Sequence, residues 1–169
     1  MYFIWFGICF ICYMIRTIFN ILKYKKSPLA ENKKIVNSIF IVMGILWFSW
    51  GQMCFSDPIK MKIPDWIRYI CLLLFLIGIF LFIFSHIKLK GFEDKGKLIT
   101  VGIYSKIRNP MYLGFIIWII SFPIFMQSLI TLASSAIWIS HIMYWKILEE
   151  KELDKKYKEY REYKKKTWF

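Results

Sequence analysis

The chain has 169 residues, 58% of them hydrophobic and 20% aromatic, and carries a formal net charge of +13. A soluble domain of this length does not carry several apolar runs approaching membrane length, so composition excludes that class and points to one integral membrane domain over residues 1–169. Nucleic-acid binding is excluded as the reason for the charge. The lysines and arginines sit between apolar runs and in the tail, with no basic face interleaved with stacking aromatics.

Residues 2–22 form the first apolar run, broken late by Arg16 and Asn20. A long basic side chain at that depth is expected to snorkel to the interface. The run lacks the basic lead-in and small-residue cleavage site of a secretory leader, so it is expected to remain as a mature helix. Cys9 and Cys12 have a redox-like spacing, but their neighbours are Phe, Ile and Tyr. Without a second pair or a nearby His they read as small apolar residues.

The basic loop "KYKKSPLAENKK" (23–34), with a Ser-Pro turn, leads to the second run, 35–55. A short connector punctuated by Pro58 and Pro64 precedes the third run, 66–87. Residues 88–109 form a polar loop.

After Arg108 no charged residue appears until Lys146. One straight helix over that distance would be nearly twice the roughly 30 Å hydrocarbon thickness, so the stretch must fold back near Pro123 and residues 126–128. The expected fold is therefore all-α, with about five transmembrane helices, the last two a hairpin. The first three occupy 1–87, and residues 88–169 hold the loop, the hairpin and a C-terminal helix. Lys-rich segments stay cytoplasmic, which puts the 23–34 loop, the 88–109 loop and the tail inside and the N-terminus outside. In the tail, Leu153, Tyr157 and Tyr160 recur at helical spacing on a charged background. Residues 149–166 are thus expected as an amphipathic helix lying on the membrane or folding back on the cytoplasmic loop.

Asn109-Pro110 has the form of a helix start, Asn as N-cap and Pro at the first helical position. Free backbone N–H groups there suit a carboxylate, and Arg108 adds a fixed positive fork. Gly102 allows a turn or a close ligand approach, and Tyr104 and Tyr112 offer aromatic faces. The plain alternative makes Arg108 a positive-inside charge and the tyrosines interface residues. Glu149 and Glu150 stand where the hairpin returns to the same border, either completing a site with Arg108 or simply opening the tail helix. His86 and His141 lack a second ligand at helical spacing, so no metal is expected.

The pattern Leu98-x-Thr100-x-Gly102-x-Tyr104, then Arg108-Asn109-Pro110-Met111-Tyr112-Leu113-Gly114, then Glu149-Glu150-x-x-Leu153 resembles the isoprenylcysteine carboxyl methyltransferase-like family over about residues 85–167. The family shares both motifs with phospholipid N-methyltransferases. The resemblance implies a membrane methyltransferase using S-adenosylmethionine. It assigns cofactor binding to Gly102, Tyr104, Arg108, Asn109, Pro110, Tyr112, Gly114, Glu149 and Glu150, with Arg108 and Glu150 the candidates for catalysis. The implied acceptor is hydrophobic and lipid-like. Carboxyl O-methylation of a prenylated compound leads, a phospholipid amine follows, and a scaffold or sensor binding headgroups is the non-enzymatic alternative. Asn109 stands where the family has His, and Ile103 where it usually has Pro. Asn can hydrogen-bond but cannot titrate, so a proton relay through this position is not expected.

Overall fold

A computed structural model of the chain describes residues 1–93 and 98–169, with side chains described outside 88–97. Its elements, all helical, are α1 (Tyr2–Tyr24), the single turn α2 (Pro28–Glu31), α3 (Lys33–Ser56), α4 (Asp65–Glu93), a 3₁₀ turn (Gly102–Ser105), α5 (Pro110–Phe125), α6 (Leu129–Lys156) and α7 (Tyr160–Lys166). This is an all-α membrane protein. Three helices, α1, α3 and α4, are long and apolar enough to cross a bilayer. Their outward faces carry large apolar residues such as Phe3, Ile11, Phe40, Phe48, Leu73 and Phe80, which only lipid tails can cover without cost.

α5 and α6 pack as the expected hairpin. α5 has 16 residues, about 24 Å of rise, and is shorter than the other apolar helices. It ends where Gln127 enters the left-handed region (φ 59°) and the Ser128 N–H reaches back to the Pro123 carbonyl at 2.8 Å. That bonding closes a helix C-terminus whose left-handed residue is more often glycine.

Three boundaries differ from the sequence reading. The Ser27-Pro28 turn opens one helical turn, and Asn32 then caps α3 by accepting from the Lys34 N–H at 2.9 Å. α4 continues as helix to Glu93, six residues beyond the apolar run and into the expected polar loop, of which 94–97 lie outside the described residues. Glu149 and Glu150 open no helix. They lie inside α6, which runs on to Lys156 before the chain breaks at Tyr157 and restarts as α7.

Two contacts set the hairpin's position. Gly78 on α4 faces Gly114 on α5 so closely that a Cβ on Gly114 would lie 2.6 Å from the Gly78 carbonyl, and one on Gly78 would lie 2.8 Å from the Gly114 carbonyl. Small residues permit such backbone approach between membrane helices. At the hairpin's turn end, Asp57 from the α3–α4 connector is buried. Its Oδ2 accepts from the Thr131 N–H at 2.7 Å and from Thr131 Oγ1 at 2.8 Å. The connector's Ile59 carbonyl accepts the Leu129 N–H at 3.1 Å. Two of α6's orphan donors are thus satisfied by a distant segment rather than by its own N-cap.

Between these supports the core is aromatic. Tyr13 of α1 stacks between Trp138 and Trp145 of α6, with ring centroids at 4.8 and 5.4 Å. Trp47 of α3 stacks on Trp118 of α5 at 4.6 Å.

Gly114→Ala is expected to lower stability by about 2 kcal/mol, because backbone must move to admit the methyl group. Gly44→Ala, with nothing within 4 Å of its added Cβ, is expected to be neutral or slightly stabilising. Asp57→Ala should cost about 2 kcal/mol by loss of the cap. Thermal unfolding in one detergent checks all three.

Candidate functional site

The motif residues converge where the 98–109 loop, the start of α5, the end of α6 and α7 meet. Gly102 begins the convergence. Its φ of 66° lies in the left-handed region, and it starts the 3₁₀ turn that turns Tyr104 inward. Tyr104 is buried, donates to the Ser85 carbonyl at 3.4 Å and accepts on its own carbonyl from the Tyr163 hydroxyl at 2.6 Å. Burial pushes both phenols up to about 12, so they act as neutral donors. The loop and the tail also pair through backbone. The Trp168 N–H donates to the Lys106 carbonyl and the Arg108 N–H to the Trp168 carbonyl, each at 3.1 Å.

Arg108 and Glu150 meet directly, Nε to Oε1, at 2.9 Å, with each side chain about nine-tenths buried. The same Oε1 accepts from Asn109 Nδ2 at 2.7 Å and lies 3.2 Å from Lys146 Nζ, while Oε2 lies 3.0 Å from Lys164 Nζ. One carboxylate therefore ties together the loop, the start of α5, α6 and α7. Arg108 Nη1 donates to the Lys164 and Thr167 carbonyls at 3.3 and 3.0 Å.

Asn109 occupies the N-cap position, as expected, yet makes no side-chain cap. Its amide is spent on Glu150 and on the Phe169 carbonyl at 3.0 Å. Pro110 takes the first helical position as read from sequence.

Glu149 faces differently. Its Oε2 accepts from the Tyr112 hydroxyl at 2.6 Å, and both residues line a cavity of about 200 Å³. Arg108, Asn109, Pro110 and Tyr104 also line it, together with Tyr157 and Tyr160 of the tail. Glu150 and Gly114 do not. Gly114 belongs to the α4–α5 contact, and Glu150 to the buried ion cluster.

The apolar part of α6 ends at Leu148, so both carboxylates lie at its border. They are tuned in opposite directions. Burial pushes Glu149 above the usual carboxylate range, with Glu152 adding to the rise. The Tyr112 hydrogen bond and the charges of Lys23 and Arg16 oppose it only in part. For Glu150 burial also acts upward, but hydrogen bonds from Arg108 and Lys164 and the charge of Lys146 outweigh it and hold the group at about 2.

Several cavity residues carried no motif. Lys23, Ile99, Glu152 and Tyr163 line it, and Lys146 and Lys164 complete the ion cluster. Lys146 was findable, since it stands four residues before Glu150 on one helix face. Lys164 was not, because its partner is reached only after the α6–α7 break. His141 donates to or accepts from Thr17 Oγ1 at 2.9 Å, and His86 stacks on Phe82. Among the described residues no group of three or more His, Cys, Asp or Glu could hold a metal.

Because its folded pKa is depressed, Glu150 stabilises fully above the unfolded value near 4.5, and that contribution is lost as pH falls toward 2. Glu150→Gln should cost about 3 kcal/mol at neutral pH by leaving buried cations unpaired. The gap in unfolding midpoint between it and the parent should close as pH drops from 4.5 toward 2.

No curated protein and no solved structure matches the chain. A family profile does: phospholipid methyltransferase matches residues 66–160, from the start of α4 into α7, more than half of the chain. The match takes in the arginine-proline segment, the glutamate pair and the helices that bring them together, and it agrees with the resemblance read from those motifs. The chain belongs to the phospholipid methyltransferase family.

Proposed function

We propose that the protein transfers a methyl group from S-adenosylmethionine to a lipid-like acceptor held in the membrane, and that the acceptor atom is an amine nitrogen. The observation that carries this reading is the Tyr112–Glu149 pair, a carboxylate of raised basicity facing the cavity beside Arg108.

The donor set fits the cofactor's chemistry. Glu152, the cavity's other carboxylate, suits its ammonium. Arg108 and the start of α5 suit its carboxylate, and Tyr104, Tyr157 and Tyr160 with Leu98 and Ile99 suit an aromatic base. Glu150 then acts one step back, holding Arg108 and Asn109 in place. The cavity, at about 200 Å³, is below the roughly 300–1,000 Å³ usual for such ligands. A nucleoside therefore requires the Tyr157–Glu159 elbow between α6 and α7 to draw outward.

When bound, S-adenosylmethionine supplies an electrophilic methyl on a sulfonium that departs as a neutral thioether. The chain's own residues do the rest. An ammonium acceptor must first lose a proton, and the Glu149 carboxylate is the cavity group whose basicity burial has raised to take it. Tyr112 fixes the orientation of that carboxylate. The apolar wall keeps water from competing. With five crossings and the Lys-rich segments cytoplasmic, cofactor enters from the cytoplasm. α5 is shorter than the roughly 30 Å hydrocarbon layer, so its start lies within reach of a lipid arriving sideways.

Carboxyl O-methylation of a prenylated compound is the second reading, supported by the cations Lys23, Arg108 and Lys156 around the cavity. It needs no base.

Calorimetry on the protein in detergent is expected to detect S-adenosylmethionine binding, weakened roughly tenfold or more in Glu152→Gln with unfolding little changed. No binding by the parent protein would sink the assignment. Methyl-labelled cofactor should give, from phosphatidylethanolamine, a label that alkali does not release as methanol, whereas release of labelled methanol would favour the ester. Transfer should fall on acidification at a pH above the usual carboxylate range, as Glu149 takes up its proton and can no longer accept one.

A further inference from the structure

Arg16 is the only charged residue in the apolar run of α1, residues 2–22, and nothing so far accounts for it. Charged groups at such depth are costly and in general serve a purpose. The side chain is not turned out to the interface. It points into the bundle, with its guanidinium carbon 5.6 Å from the Phe19 ring centroid and 5.9 Å from that of Trp145 on α6. Its Nε is buried without a hydrogen-bond partner, and among the described residues the guanidinium forms no ion pair.

Trp145 and Glu149 stand four residues apart on one face of α6, so the residue whose ring Arg16 meets is rooted about one turn, roughly 5 Å, deeper in the bundle than Glu149. Both Arg16 and Lys23 act electrostatically on Glu149. Arg16, Asn20 and Lys23 follow one another at i, i+4 and i+7 and so share one face of α1. Lys23 lines the cavity. A polar stripe thus descends from the cavity mouth along α1 and ends at a guanidinium whose buried Nε is unspent.

We propose that Arg16, assisted by Asn20, is the anion subsite for the acceptor and takes a phosphodiester oxygen of a zwitterionic lipid. The inference rests on the methyl-transfer reading above and specifies how the acceptor is oriented. In such a lipid the phosphate lies on the acyl-chain side of the amine, separated from it by a two-carbon link. The contact of Arg16 with Trp145, one helical turn to the membrane side of Glu149, suits that order, with phosphate below and nitrogen above at the Tyr112–Glu149 pair. An acceptor whose nucleophile is its own carboxylate would instead be drawn down to Arg16, away from that pair. A planar guanidinium gripping two oxygens also explains Arg over Lys at this position.

The test compares parent, Arg16→Gln and Arg16→Lys in nanodiscs, with phosphatidylethanolamine and octadecylamine as alternative acceptors. The parent is expected to prefer phosphatidylethanolamine in kcat/KM. Arg16→Gln should cut that preference by about tenfold or more, chiefly through KM, with Arg16→Lys between them and cofactor affinity by calorimetry within about twofold of the parent. Native mass spectrometry without cofactor should show phosphatidylethanolamine retained by the parent and lost from Arg16→Gln. An unchanged acceptor preference, or equal losses on both acceptors, would overturn the subsite. So would dependence on Arg16 confined to a farnesylated cysteine carboxylate. If the parent binds no cofactor, the methyl-transfer reading fails, while lipid retention still tests Arg16 by itself.

Discussion

The Glu150 carboxylate is the point on which the border of this bundle depends. Four donors from four segments converge on its two oxygens, and each is held within 3.2 Å. Without that charge Arg108 and Lys146 would be buried cations facing one another, and the loop and α7 would lose their ionic tie to α6. A buried ion cluster of this kind is a poor source of net stability compared with apolar packing. Its value is geometric, because it admits one arrangement of the segments that surround the cavity.

Two adjacent glutamates thereby acquire opposite characters. Glu150 is ionised through surplus cations and points away from the cavity, whereas Glu149 is kept basic by burial and points into it. Successive residues on a helix diverge by about 100°, so an acidic pair is a compact way to assign one side chain to structure and its neighbour to a ligand. Asn109 fits the same logic. Its fixed amide donates to the cluster at any pH, where an imidazole would vary with protonation.

Much of this was legible in the sequence. The apolar runs, the charge gap between Arg108 and Lys146 and the position of Pro123 give the helices and the hairpin, because bilayer thickness limits what a polypeptide can do with such runs. The two motifs locate the border site. What the sequence could not give was the facing of individual side chains. Of the two acidic neighbours the motif resemblance singled out Glu150 for catalysis, whereas the cavity is lined by Glu149 and Glu150 is tied into the ion cluster. Gly114 resembled a ligand contact until Gly78 appeared opposite it, a pairing that requires the α4–α5 register. The stripe of Leu153, Tyr157 and Tyr160 was read as one helix face. The residues do line one cavity, but across an elbow, since the bend brings them together as well as continued helix would. Arg16 was expected to snorkel, and only its position over Trp145 reveals the inward turn.

The near-touching glycines of α4 and α5 also decide how lipid can travel. Where two helix backbones approach until a single methyl group has no place between them, an acyl chain has none either, and that seam is shut along its middle. α1 meets α6 through side chains, chiefly rings and a few polar groups. On the proposed reading, a lipid-like acceptor would have to reach the interior by a seam other than the one between α4 and α5.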